Sequence, residues 1–156
     1  MRLRTLFVLM LFAQLCWVPA LSAAPATDDG RALAGLKTAR VIFDVRVAEL
    51  DKLVANLALF AETLDGITAQ GVKTEMVVAF RGPGVRLLTA AALSDEAREA
   101  LRSLSKRGVR FEACAVAMRI FKADPGDLVP EVTLVANVFH SLIGYQNKGY
   151  AMIAIN

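Results

Sequence analysis

From Arg40 to the end of the chain, two hydrophobic periods take turns, and this alternation limits the fold more than any other feature. "RVIFDVRV" (40–47) is short and rich in β-branched residues, as strands are. Directly after it, Leu50, Leu53, Val54, Leu57, Ala61 and Leu64 recur three and four residues apart, which predicts an amphipathic helix closing at Gly66. "VKTEMVVAF" (72–80) is a second strand, and "SDEAREALRSLSKRG" (94–108) a helix with both ends signalled. Ser94 caps its start, Asp95 and Glu96 sit at the positive end of the helix dipole, Lys106 and Arg107 at the negative end, and Gly108 stops it. "VRFEA" (109–113), "VTLVA" (132–136) and "YAMIAI" (150–155) complete five strands, with a turn at "ADPGD" (123–127) and a short helix over residues 137–149. Strands this short and apolar, separated by helices, form right-handed β-α-β units. The expected class is α/β: a three-layer α/β/α sandwich around a mainly parallel five-stranded sheet.

The first 24 residues read differently. "MRLR" precedes the apolar run "TLFVLMLFAQLCWV", and the small residues of "PALSAAPA" follow, which is the order of a secretory signal peptide. The apolar run is shorter than the roughly 18 residues of a spanning helix. The expected organisation is therefore a signal peptide over 1–24, a flexible polar arm over 25–38 and one domain over 39–156. Cleavage is expected near Ala23 or Ala24, delivering a periplasmic or otherwise secreted protein without a stable membrane anchor. Cys16 lies inside the apolar run and leaves with the leader.

That reading changes the charge. The whole chain has 18 basic and 15 acidic residues, a net +3, but Arg2 and Arg4 belong to the leader. The remainder has 16 against 15, so a pI near 9.1 carries no message about partners. Basic residues in "LRSLSKRGVR" fit a solvated helix end, and no basic face with interleaved aromatics marks a nucleic-acid surface.

One cysteine, Cys114, then reaches an oxidising compartment without a partner for a disulfide. Ligands of parallel sheets bind beyond the carboxyl ends of the strands. That rule selects Arg46 and Val47, the loop "FRGPG" (80–84), Cys114 and Asn137. Cys114 is either a small buried packing residue or a nucleophile favoured by a helix starting at Ala115 and by a nearby Arg81. Arg81, Gly82, Pro83 and Gly84 are either a tight turn or a backbone cradle for an anion. His140 is the only histidine and reads as a surface or packing residue; no metal cluster and no catalytic triad can be assembled from it. Asp44 and Glu112 stand isolated in strands, and Asn56 lies on a helix flank.

Taken in order, "VIFDV", "LVANLALF", "VVAFRGPGVRLL", "GVRFEACAVAM", "DLVPEVTLVANV" and "YQNKGYAMI" resemble the DsrE-like sulfur-relay family, in particular its exported single-domain members. The resemblance implies the sandwich fold and assembly into homo- or hetero-oligomers. It also implies a persulfide carried on Cys114, exchanged with a sulfur donor or acceptor protein, with no metal or organic cofactor. The protein would be a sulfur carrier or a sulfurtransferase-like relay, with Arg81 and the backbone of Gly82 to Gly84 steadying a thiolate or a sulfur oxyanion. Two features depart from the family pattern. Arg81 stands where many relatives have a histidine, and the leader sets this chain apart from relay proteins that are largely cytoplasmic. Two other functions are compatible with the same residues: a non-catalytic oligomeric scaffold with Cys114 as packing, and a small-anion binding module built on "RGPG" alone.

Overall fold

A computed structural model describes residues 29–156; the expected leader and Cys16 lie outside the described residues. The elements are α1 (Gly30–Leu33), β1 (Thr38–Val45), α2 (Leu50–Ala69), β2 (Lys73–Phe80), a 3-10 helix (Gly82–Leu88), α3 (Asp95–Lys106) and β3 (Arg110–Cys114). They continue with α4 (Ala115–Phe121), a 3-10 turn (Pro125–Asp127), β4 (Val132–Val135), α5 (Val138–Asn147) and β5 (Ala151–Ile155). All strand pairings are parallel, in the order β4-β3-β2-β1-β5. The α/β class with a parallel five-stranded sheet is therefore what the chain forms.

The expected helix caps are in place. The Ser94 side chain accepts the Ala97 N–H at 3.2 Å, and Gly108 closes α3 at φ +90°. Gly66 does not end α2, which runs on to Ala69 and turns at Gly71, φ +75°. A glycine inside a helix costs only about 1 kcal/mol relative to alanine. Beyond Gly66 the helix runs on for one short stretch, where Ile67 is half-buried and Thr68 Oγ1 donates back to the Leu64 carbonyl at 2.7 Å. β1 also begins two residues earlier than the apolar run indicates, at Thr38, where it pairs with Lys73 of β2.

Strand order dictates the two faces. From β1 to β4 each connection steps in one direction across the sheet; only the return through α5 to β5 goes back. Crossovers are right-handed, so reversing the direction moves the connecting helix to the opposite face. On the first face, Phe43 of β1 meets Phe60 of α2 with ring centroids 4.5 Å apart, and Phe80 lies 6.5 Å from Phe111. Leu57, Leu101 and Val45 are fully buried in that layer.

The α5 face is more polar. Register puts Asp44, Ala79, Glu112 and Thr133 in one row, so both acids project toward α5. Farther back, Tyr150 Oη accepts from Arg110 at 2.9 Å and donates to Glu75 at 3.1 Å, and Glu75 pairs with Arg40 and Lys73. Hydrogen bonds from Arg40, then Lys73 and Tyr150, pull the Glu75 carboxyl down from 4.5 to about 2. Because folding lowers this value, its contribution to stability is complete above about 4.5 and is lost as pH falls through about 2. Glu75→Gln should therefore lower stability near neutral pH and flatten the acid limb of a urea-stability profile, the two profiles converging as pH falls toward about 2. An acid limb identical to wild type would show that these exposed pairs contribute nothing.

Candidate functional site

The carboxyl ends of the strands carry the residues that the topology rule selects. Cys114 is the last residue of β3 and pairs in register with Val135, the last of β4. The connection leaving β3 stays with the forward crossovers, whereas the one leaving β4 turns to the α5 face. Between these two strands the neighbouring loops part, which is where open parallel sheets place their ligand crevices.

Cys114 is buried, with 4% of its surface exposed. It is the N-cap of α4, but its side chain makes no capping hydrogen bond there. The thiol sulfur instead accepts the backbone N–H of Val138 at 3.4 Å. The helix terminus facing the sulfur is thus that of α5, arriving from the far side of the sheet, and not the one that follows Cys114 in sequence. Asn137 caps α5 by accepting the Phe139 N–H at 3.0 Å, which holds the first turn in place over the sulfur.

Arg81 and Asp44 form the strongest polar contact of the rim. Arg81 Nε and Nη2 donate to the two Asp44 carboxylate oxygens, each at 2.7 Å. Asp44 is 5% exposed. This fork-to-fork geometry is the most directional ion pair that side chains make. Arg81 is held above its ordinary value first by these hydrogen bonds, then by the Asp44 charge and, to a smaller extent, by Cys114, whose field reaches the guanidinium. Its other contact is the Phe139 ring, with the guanidinium carbon 5.4 Å from the centroid. Asp44 is therefore not isolated, as spacing alone indicated. Its partner stands 37 positions away and meets it only because β1 and β2 are neighbours.

Glu112 is not isolated either. Its Oε1 accepts the Tyr145 hydroxyl at 3.1 Å, while its buried Oε2 has no hydrogen-bond partner among the described residues. Burial, then the Glu112 charge, raises the Tyr145 hydroxyl above its usual range. This contact pins the middle of α5 to β3.

The "RGPG" loop is the start of the 3-10 helix, and its two glycines have different reasons to be there. Gly82 takes φ +65°, a left-handed conformation. Gly84 packs so tightly on the β1–α2 connection that a Cβ would sit 2.2 Å from the Val47 carbonyl oxygen. Arg86, next along, donates to the Phe121 carbonyl at 2.7 Å and stacks on that ring, tying this segment to α4. His140 is exposed on α5 and the Asn56 side chain donates to Lys52 O, so neither joins Cys114. No group of three or more metal-ligating side chains occurs among the described residues.

Comparisons with known proteins agree with this architecture. The model of the DsrE/DsrF-like family matches residues 35–155. Among solved structures, the chain is similar to the protein of unknown function MTH1491 from Methanobacterium thermoautotrophicum, with a TM-score of 0.63 and 22% identity. The match covers 74% of this chain and 98% of that one, and at such identity it speaks for the fold alone. No curated protein matches the chain.

Gly84→Ala should destabilise by about 3 kcal/mol or more, because the obstacle is backbone that cannot rotate away. Gly82→Ala should cost only about 1–2 kcal/mol, the ordinary cost of a left-handed L-residue. Urea denaturation of the two variants checks the ranking; equal losses would remove the close approach at Val47 as the reason for Gly84.

Proposed function

The chain belongs to the DsrE/DsrF-like family, and from that premise we propose that it carries sulfane sulfur as a persulfide on Cys114. Membership supports a sulfur-relay type of function at the level of the family. The observation that carries the finer reading is the position of Cys114 at the carboxyl end of β3, beside β4, whose outgoing connection turns to the other face of the sheet. There its sulfur accepts the first N–H of α5, whose next residue, Phe139, lies against the Arg81 guanidinium.

In the loading step the Cys114 thiolate attacks the sulfane sulfur of a donor. A new S–S bond forms to Sγ, the donor's own bond to that sulfur breaks, and the donor departs with the electron pair. In the unloading step an acceptor thiolate attacks the outer sulfur and Cys114 leaves as thiolate, so no external oxidant or reductant is consumed. A backbone N–H and a guanidinium suit the negative sulfur that exists before loading and after unloading. The donors and acceptors would be other sulfur-carrying proteins. The leader reading places this work in the periplasm or another exported compartment.

We also propose a homo-oligomer. β5 is an edge strand whose Met152 and Ile153, on opposite faces, are 45% and 46% exposed. Phe139 and Ile143 lie one turn apart on α5 and are 52% and 59% exposed. Apolar side chains on an open edge and on the helix beside it invite a second chain.

One observation favours the second reading, a scaffold with Cys114 as packing: a thiol only 4% exposed cannot be attacked without movement. Intact mass separates the two. Wild-type protein treated with polysulfide should gain one or more sulfur atoms, lose them on reduction and show no gain as Cys114→Ser. Folded wild-type protein that gains no mass would leave the scaffold reading. Intact mass of the protein exported by a bacterial host should correspond to a chain starting just after Ala23 or Ala24, and a chain retaining residues 1–24 would overturn export with cleavage.

A further inference from the structure

Cys114 is covered by a particular piece of structure, the first turn of α5. Val138, 1% exposed, donates its N–H to the sulfur. The adjoining Phe139 is 52% exposed, so little apolar burial holds its ring down; the ring lies against the Arg81 guanidinium. Arg81 in turn is fixed by both carboxylate oxygens of Asp44. The chain of contacts therefore runs from the core of β1 through the rim of β2 to the turn that closes over the thiol.

We propose that Asp44 is a positioning residue for the Cys114 site: by orienting Arg81 under Phe139 it latches the first turn of α5 over the thiol and sets how often that thiol opens to reagents. The inference rests on the persulfide reading for its biological purpose, since a relay cysteine must be shielded between loading and unloading. Its physical content is independent of that chemistry. The rear of α5 is held separately, by Leu142 in the core and by the Tyr145 to Glu112 hydrogen bond, so the first turn can lift while the rest of the helix stays docked, with the latch adding to the burial of Val138 that also holds that turn.

The experiment is the rate at which iodoacetamide labels Cys114 in the folded protein without denaturant, followed by mass, alongside the urea midpoint of each variant. Cys114 is the only cysteine of the described residues, so protein lacking residues 1–24 reports on it alone. Phe139→Ala should label roughly three- to ten-fold faster than wild type, as expected for losing a cation–π contact that is partly desolvated. Its urea midpoint should fall by no more than the equivalent of that same fold-change, with the slope of the transition unchanged. Phe139→Tyr, which keeps a ring over the guanidinium, should restore the slow rate, and Ile143→Ala, one turn farther along α5, should leave it unchanged. Asp44→Asn should also label faster; should that variant fail to fold, the Phe139 series still decides.

Equal labelling of wild type and Phe139→Ala, or labelling of wild type at the rate of global unfolding, would overturn the latch. Faster labelling of Phe139→Ala together with no persulfide on any variant would uphold the latch and count against the sulfur-relay reading.

Discussion

The direction reversal after β4 is the constraint on which the rest of this structure depends. Three crossovers advance across the sheet and one returns. Because the handedness of a parallel crossover does not change, the returning helix must cross to the other face. That single step leaves α5 as the helix spanning the polar face, sends the connections leaving β3 and β4 to opposite faces, and brings the N-terminus of α5 onto the sulfur of Cys114. A helix that simply followed β3 could not do this, and α4, which does follow it, makes no contact with the sulfur through a capping bond.

The two faces are held by different physics. Under α2 and α3 the contacts are aromatic and aliphatic, and their contribution scales with apolar area removed from water. Under α5, the carboxylates of Asp44 and Glu112 are buried against the sheet, the first of them paired with Arg81. Ion pairs in such places return little net stability, since the desolvation of the charges offsets most of their attraction. What the Asp44–Arg81 pair does supply is direction, because a bidentate fork fixes the guanidinium plane where a single contact would not. The same is true of Tyr145 on Glu112. A helix pinned by directional contacts at its front and its middle has a defined position even though its outer residues, Phe139 and Ile143, remain largely in water.

The glycines of the "RGPG" loop illustrate how one motif can have several causes. Gly82 is there for a backbone angle, and Gly84 for a distance to the Val47 carbonyl. Arg81, immediately before them, is oriented by a carboxylate from the neighbouring strand. Quoted as a string, these residues look like one anion-binding element. In the folded chain they serve a turn, a close backbone approach and an ion pair.

The local sequence by itself determined the elements and their class. Strand and helix periods are properties of neighbouring residues, as are the Ser94 cap and the stops at Gly108 and Gly149, and they are realised with shifts of a residue or two at most boundaries. Where local signals were weak they misled: Gly66 marked an end that α2 does not have, because one helical glycine costs only about 1 kcal/mol and the backbone turns instead at Gly71. The family was also legible, since its pattern of apolar strands, the Gly-Pro-Gly loop and Cys114 can be read in order along the chain. Only the tertiary structure decided which rim residues meet. Arg81 with Asp44, Cys114 with Val138 and Glu112 with Tyr145 are separated by 37, 24 and 33 positions. No sequence period encodes such pairings, because they follow from strand order and from the face to which a crossover is sent. These are set by the packing of the whole sheet, and through them the one thiol of the described residues came to lie beneath α5.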